Sequence, residues 1–417
     1  MSAKTLRYRS AGLIGNCLGH YDSALFGLLA PFIAPLFFGS QDPLTALILT
    51  YGIIPLGLVS YPAGALFFGW IGDRWGRRQT LFLSLIGMAA ATASIGFLPT
   101  YKEAGMAAPL LLSMARLLQS FFAAGETTSG AIFMLEHTRK EERGVVSSFF
   151  DASTVLGILL ASGLVTLLSE GIQEGWRSLF WAGGAAALFG FFLRLKTVES
   201  AEFSAPKVEE VSRGERLKAI GMIALAAGFS YTTYAVPFSL MNGLVPLVSD
   251  LEKGELMKMN TSLLFLDLLL LPLFGKLADR YGKEKIMLGG AVGSALVALP
   301  IFVCLEGAGL GTVIVARTAI VICGVAFGAS YHAWAMEQIS PHFRCRGLSI
   351  GYAIGTQIIG APSAAISLWL FQKTEWIGAP GLYLLIAALG AIFSVSFASS
   401  QLRPALRARD VEQDLSK

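Results

Sequence analysis

The chain has 417 residues, 54% of them hydrophobic and only 14% charged, with a mean hydropathy of +0.63. Soluble domains carry roughly 25% charged residues, so this composition excludes an ordinary soluble enzyme and points to a membrane protein. The net charge of +4 is spread over short loops, which argues for membrane topology and against a nucleic-acid partner.

Apolar runs of about twenty residues recur from end to end, each long enough for a ~30 Å hydrocarbon core. They predict an all-α protein of twelve transmembrane spans: 11–38, 46–72, 78–99, 108–136, 145–169, 176–196, 216–245, 258–278, 284–304, 311–337, 346–371 and 378–400. The basic N-terminus, Lys4 to Arg9, leads into a span too long for a cleaved signal segment and reads as an uncleaved first helix. Under this scheme the cytoplasmic segments hold 25 of the 32 Lys and Arg residues. Lys102, Arg177, Lys253, Lys258 and Lys373 fall outside, and Arg116 and Arg317 lie within spans. Lys and Arg are retained on the cytoplasmic side in short loops, so both termini are expected there. The polar stretch 197–215 reads as a cytoplasmic linker between two halves, 1–196 and 216–400, followed by a short tail, 401–417. Prolines at 31, 35, 55, 62, 237, 246, 272, 300 and 362 fit kinked membrane helices whose freed carbonyls find other partners. Cys17, Cys304, Cys323 and Cys345 show no metal-ligand spacing, and no disulfide is expected.

Two internal repeats organise the chain. The junction of spans two and three carries Asp73, Arg74, Arg77 and Arg78 with glycines at 69, 72 and 76. It returns as Phe274-Gly-Lys-Leu-Ala-Asp-Arg-Tyr-Gly-Lys-Glu-Lys285, with Asp279 and Arg280 in the places of Asp73 and Arg74. The second repeat is sharper: Arg116 and Arg317, Glu136 and Glu337, and Arg143 and Arg344 each stand 201 positions apart. Together these suggest duplication of a whole half.

Ionisable residues inside spans cost ~2.5–3.5 kcal/mol each on insertion scales, so each needs a reason. Arg116, Gln119, Ala123, Glu126, Thr127 and Gly130 form one stripe of the fourth helix. The stripe lines an aqueous cavity or a hydrogen-bonded seam, with the cost of Arg and Glu favouring the cavity. Glu126 is the acid available to neutralise Arg116, although ~15 Å separates them along the axis. On the tenth helix Arg317, Gly324, Gly328, Tyr331 and Ala335 make the matching stripe, without an acid. Arg317 should therefore acquire an anion, which predicts a substrate with at least one carboxylate. Asp22 sits near the midplane of the first helix and either titrates or is permanently paired. Asp267 must face inward, and Tyr231, Tyr234, Phe238 and Asn242 share a face of the seventh helix that packs or floors a cationic or zwitterionic solute. Glu136 and Glu337 lie near the cytoplasmic ends of their helices, placed to pair with loop arginines; Arg77 is expected within reach of Glu136, and Asp73 near the start of the eleventh helix.

Residues 64–81 resemble the loop signature of the major facilitator superfamily, and 274–288 its second copy. More narrowly, the chain resembles the metabolite:proton symporter family, which includes proline/betaine, α-ketoglutarate, citrate and shikimate carriers. The matching residues are Gly15-Asn16 with Tyr21-Asp22, Arg116-Leu-Leu-Gln119 with Gly125-Glu126, and Glu136 with Arg143-Gly144. Further on they are Gly175-Trp-Arg177 with Phe180, Glu199-Ser200 with Phe203, and Glu337 with Pro341, Arg344, Gly347 and Tyr352. The resemblance implies two pseudo-symmetric six-helix bundles, a central cavity, alternating access and proton-coupled uptake. The chain departs from the pattern at Gly19-His20, where the family has Glu-Trp, and at Ala124 and Thr127, which flank Glu126 in place of a Gly and a Trp.

These readings converge on a secondary active transporter: proton-coupled uptake of a small organic acid or zwitterion across a bacterial inner membrane by a monomer. The substrate and proton pathway would use Asp22, Arg116, Gln119, Glu126, Tyr231, Tyr234, Arg317 and Tyr331; the gate would use Asp73, Arg74, Arg77, Glu136, Arg143, Asp279, Arg280, Glu337 and Arg344. Glu126 and Asp22 are the proton candidates, and no cofactor or metal is implied. An uncoupled facilitator or exchanger is the first alternative. A transporter-like receptor is a second, and it would want a large soluble domain or long tail. An enzyme is disfavoured, since no catalytic triad, metal spacing or Walker loop is found.

Overall fold

The computed structural model describes residues 3–39, 57–167, 172–195, 198–200, 203, 212–251 and 253–398. Every expected span has its helix: α1 (Ala3–Phe38), α2 (Gly57–Arg74), α3 (Arg77–Phe97), α4 (Ala107–Glu136), α5 (Arg143–Leu167) and α6 (Ile172–Arg194). They are followed by α7 (Arg213–Val248), α8 (Lys253–Tyr281), α9 (Lys283–Val303), α10 (Leu310–Met336), α11 (Pro341–Thr374) and α12 (Ala379–Phe397). The first half of the expected span 46–72, most of the linker and the tail lie outside the described residues. Among the described residues, nine helices are long and apolar enough to cross a membrane, and α1 makes ten if its bent pair counts as one span. Their outer faces carry large apolar side chains, such as Leu296 at 71% and Leu269 at 72% exposure. A belt of that kind suits lipid and would be a liability in water.

The helices fall into two compact units. The first takes Met1–His137 and Ser153–Ala205, the second Thr138–Ala152 and the chain from Pro206 on. Unit membership therefore changes within α5, between Ala152 and Ser153. In the first unit α3 packs along α4 and α6, α2 along α4, and α1 along α4 and α6. Its core joins Tyr21, Leu25, Phe26, Leu29, Ile33 and Phe37 of α1 to Ile95, Leu112, Trp176 and Phe180. The second unit repeats the pairing, with α9 along α10 and α12 and α8 along α10. Small residues allow the close approaches. A side chain at Gly64 would strike the Phe121 carbonyl of α4, and one at Gly290 would come within 2.5 Å of the Cys323 carbonyl of α10.

The duplicated junctions fold alike. Gly76 and Gly282 start α3 and α9 at φ 104° and 101°, in the region L side chains avoid. That conformation reverses the chain without a longer loop. Two helices are interrupted by π turns, Val236–Leu240 in α7 and Gly355–Gly360 in α11. Pro237 explains the first, because it lacks the N–H that would continue the helix. Such turns free backbone carbonyls and recur at functional sites.

Candidate functional site

In the first unit a chain of hydrogen bonds links three helices. The Thr92 hydroxyl on α3 donates to Asp22 Oδ2 on α1 at 2.6 Å and accepts from Gln119 Nε2 on α4 at 2.7 Å. Gln119 Oε1 accepts from Arg116 Nη1 at 2.6 Å, and the Arg116 guanidinium lies 4.1 Å from the Phe26 ring centroid. Asp22 is 3% exposed, and its second oxygen has no hydrogen-bond partner. A Cβ at Gly183 of α6 would sit 2.7 Å from that oxygen, so the glycine leaves it room. The geometry ties an acid to a cation through groups that both donate and accept. An ionised Asp22 takes the Thr92 proton, which leaves the Thr92 oxygen for the Gln119 amide and turns the Gln119 carbonyl toward Arg116. Protonating Asp22 removes the reason for that ordering.

Glu126 is not part of this chain. The expectation that it neutralises Arg116 is corrected by Arg194 at the end of α6, whose Nη1 and Nη2 fork onto Glu126 at 2.9 and 2.5 Å. Ser84 donates a further bond at 3.2 Å. Both side chains of the ion pair are 2% exposed, and Gly15 lies directly against them. Arg194 was expected among the cytoplasmic cations. Its long side chain instead turns inward, because only a bidentate cation satisfies a carboxylate buried at that depth.

Arg317 in the second unit is fully buried. Nη2 donates to the Pro237 carbonyl in the π turn of α7, to Asn242 Oδ1 at 3.1 Å and to Asn260 Oδ1 of α8. Nη1 lies 3.5 Å from the Met259 sulfur. All four partners are neutral, and Asp267 is not among them. Tyr234 and Phe238 stack at 4.9 Å, whereas Tyr231 packs over Gly360 of α11. Tyr331 is buried within 6.4 Å of Trp334 and 6.1 Å of Tyr352, ring to ring.

The gating candidates form two clusters. Arg77 donates to Glu136 at 3.2 Å and to the Gly72 carbonyl ending α2 at 3.1 Å. Ser200 donates to Glu136 at 2.5 Å, Phe203 lies 5.0 Å from the Arg77 guanidinium, and Glu199 accepts from the Arg78 amide at the start of α3 at 3.0 Å. In the second unit Lys283 takes the place of Arg77 and pairs with Glu337. Asp279 accepts from the amides of Gly144 and Val145, at 2.7 and 2.8 Å, and so caps the start of α5. Arg344 donates to the Met336 carbonyl at 3.1 Å, and Arg143 is buried. Arg74 and Arg280 are exposed, over Trp70 and Tyr281. Asp73 is half-buried in its turn.

The sequence description of the Major Facilitator Superfamily matches residues 12–250 and 219–414. The chain belongs to the major facilitator superfamily. Among relatives of this facilitator, a proline/betaine transporter of Salmonella typhimurium is 24% identical, over 98% of this chain and 86% of its own. A glycine betaine/proline/ectoine/pipecolic acid transporter of Dickeya dadantii is 25% identical over the same shares. Solved structures agree in fold. A proton:xylose symporter aligns at TM-score 0.75 and 14% identity over 96% of each chain. A fucose:proton symporter of E. coli aligns at 0.74 and 12% over 95% of this chain and all of that one. The facilitator is a multi-pass membrane protein, a transporter and not an enzyme. Three of its site residues escaped sequence reasoning: Thr92, Arg194 and Asn260. Arg194 carried a usable signal, since it interrupts the apolar run one residue before its end at Leu195. Thr92 and Asn260 are single polar residues on helices whose neighbours no spacing reveals.

Proposed function

We propose that the protein imports a small zwitterion or organic acid with protons across a bacterial inner membrane, as a monomer with both termini in the cytoplasm. The observation that carries the reading is the Asp22–Thr92–Gln119–Arg116 chain. It makes the hydrogen bonding of a cation depend on the protonation of an acid two helices away. With Asp22 ionised, Gln119 engages Arg116. With Asp22 protonated, Thr92 and Gln119 reorganise and Arg116 is released to a substrate carboxylate. The full-length similarity to proline/betaine transporters supports a zwitterionic substrate, and the similarity in fold to proton symporters accords with the proton as coupling ion. Arg317, held only by neutral groups, is the second carboxylate candidate. The loop cluster of Asp73, Arg77 and Glu136 acts as the cytoplasmic gate, and Asp73→Asn slows transport without unfolding the protein.

The test is uptake of labelled proline and glycine betaine into proteoliposomes with and without an imposed pH gradient, extended to a panel of carboxylates. Accumulation driven by the gradient is expected. Uptake of a solute that equilibrates identically with and without the gradient would instead establish the uncoupled facilitator, an alternative favoured by Gly19-His20 standing where related carriers have an acid.

A further inference from the structure

The second unit contains a titratable pair, a buried histidine against a partly exposed aspartate, that the coupling chain does not use. His332 on α10 is 3% exposed, and its Nε2 lies 3.3 Å from Asp151 Oδ1 on α5. Asp151 belongs to the stretch of α5 that is counted with this unit. The other ring nitrogen, Nδ1, is buried without a hydrogen-bond partner, and so is Asp151 Oδ2. Buried polar atoms are nearly always paired, so a histidine with one nitrogen engaged and one bare is unusual.

The surroundings set what that nitrogen can take. Phe150 meets the ring edge-on at 5.1 Å, and Tyr331 and Tyr352 lie at 5.1 and 5.9 Å, centroid to centroid. The titratable groups around the pair are Tyr331 beside His332, Tyr352 from α11, and Asp267 from α8, which feels the charge of Asp151. Asp151 meets the imidazole, and Asp267 adds a second negative charge near that carboxylate. A neutral His332 that donates Nε2–H to Asp151 leaves Nδ1 as an acceptor with nothing to accept. That bare acceptor is a place for a proton to bind.

We propose that His332 and Asp151 form a second proton-binding site, separate from Asp22. The proton enters at Nδ1 and converts the hydrogen bond into an imidazolium–carboxylate pair. It offsets part of the negative charge of Asp151 and Asp267. It also tightens the hold of the second unit on the start of α5, which Asp279 already caps at Gly144 and Val145.

Thermal melting of the purified, substrate-free protein from about pH 5 to 8 tests the site without a ligand, in the window where histidine changes charge. The wild type should show a pH-dependent component of Tm that His332→Gln loses. Asp151→Asn should lose the same component, and the double variant should lose no more, because contacting residues of one pair are not additive. A pH profile in His332→Gln that superimposes on the wild type overturns the proposal, as do additive losses in the double variant. Should His332→Gln fail to fold, Asp151→Asn decides alone by the same comparison. Exchange of labelled proline and glycine betaine over the same range gives a second profile, expected to lose its dependence in both variants. Absence of exchange of either probe in the wild type counts against the proposed substrate and leaves the melting result to decide the site.

Discussion

The two units place an arginine at equivalent positions, half-buried in the first and fully buried in the second, and satisfy it in opposite ways. Arg116 leans on an aromatic ring and reaches an acid only through Gln119 and Thr92. Arg317 is enclosed by two asparagines, a backbone carbonyl and a thioether, with no acid paired to it among the described residues. Under the proposed function the first arrangement responds to a proton and the second does not. The duplicated fold keeps the cation in both halves and links one of them to a carboxylate through Gln119 and Thr92. The same division runs through the gate. Arg77 and Glu136 are fully buried, whereas Lys283 and Glu337 retain 14% and 22% exposure.

The comparison breaks most visibly at Asp22. Asp22→Asn should reduce concentrative uptake to an accumulation ratio of about one while sparing exchange, because a carrier without a proton-sensitive state has no free energy to couple. Uphill uptake by that variant would place the coupling acid elsewhere.

Next come the buried ion pairs of the first unit. Glu126→Gln deprives the buried Arg194 of its carboxylate, and should cost ~3–5 kcal/mol of stability. Arg77→Gln belongs to the same range for the same reason. Replacing both members, as in Glu126→Gln with Arg194→Met, should restore most of the melting temperature, because the uncompensated charge is gone. If Glu126→Gln instead melts like the wild type but no longer concentrates substrate, Glu126 is a coupling acid and not a structural one.

Arg317→Lys should weaken binding about tenfold, or ~1.4 kcal/mol, since an ammonium cannot reproduce a planar fork that serves several acceptors. Isothermal titration with the solute found in the uptake screen reads this directly. An unchanged affinity would remove Arg317 from the substrate site.

Gly76→Ala and Gly282→Ala test whether the two junctions are equivalent. Each should cost ~1–3 kcal/mol, because both glycines combine a positive φ with an extended ψ that other residues avoid, and the larger cost is expected at Gly76, where a Cβ would strike the Glu199 carboxylate. The smallest effect is expected at Lys283→Gln, ~0–1 kcal/mol, since its pair with Glu337 keeps contact with solvent. A cost as large as that of Arg77→Gln would show that the two gates are built alike after all.

Much of this was legible in the chain. Twelve apolar runs of sufficient length, and the asymmetry of Lys and Arg between alternate loops, are properties of local composition. Repeats at constant offset disclosed the paired arginines and the paired loop acids. Glycine at the end of Asp-Arg-Trp and Asp-Arg-Tyr marked both tight turns, because only that residue takes their backbone angle.

What a helix face presents to its neighbours was decided by the tertiary structure. On one helix, Arg116 and Glu126 share a stripe, and the nearest available acid was the natural partner to assign. Packing of α6 against α3 and α1 brings Arg194 closer, and a buried carboxylate pairs with whichever cation reaches it with the better fork. Thr92 matters because α3 lies between α1 and α4 at that height, and Asn260 because α8 passes Arg317 where the π turn at Pro237 exposes a carbonyl. Sequence alone determined the helices and their duplication and marked Asp22, Arg116, Glu126, Asp267 and Arg317 as charges within spans, since each depends on neighbours along the chain, whereas the burial of Arg194 needed the packing. The partner of each buried charge depends on distances across helices, and only the packing supplies those.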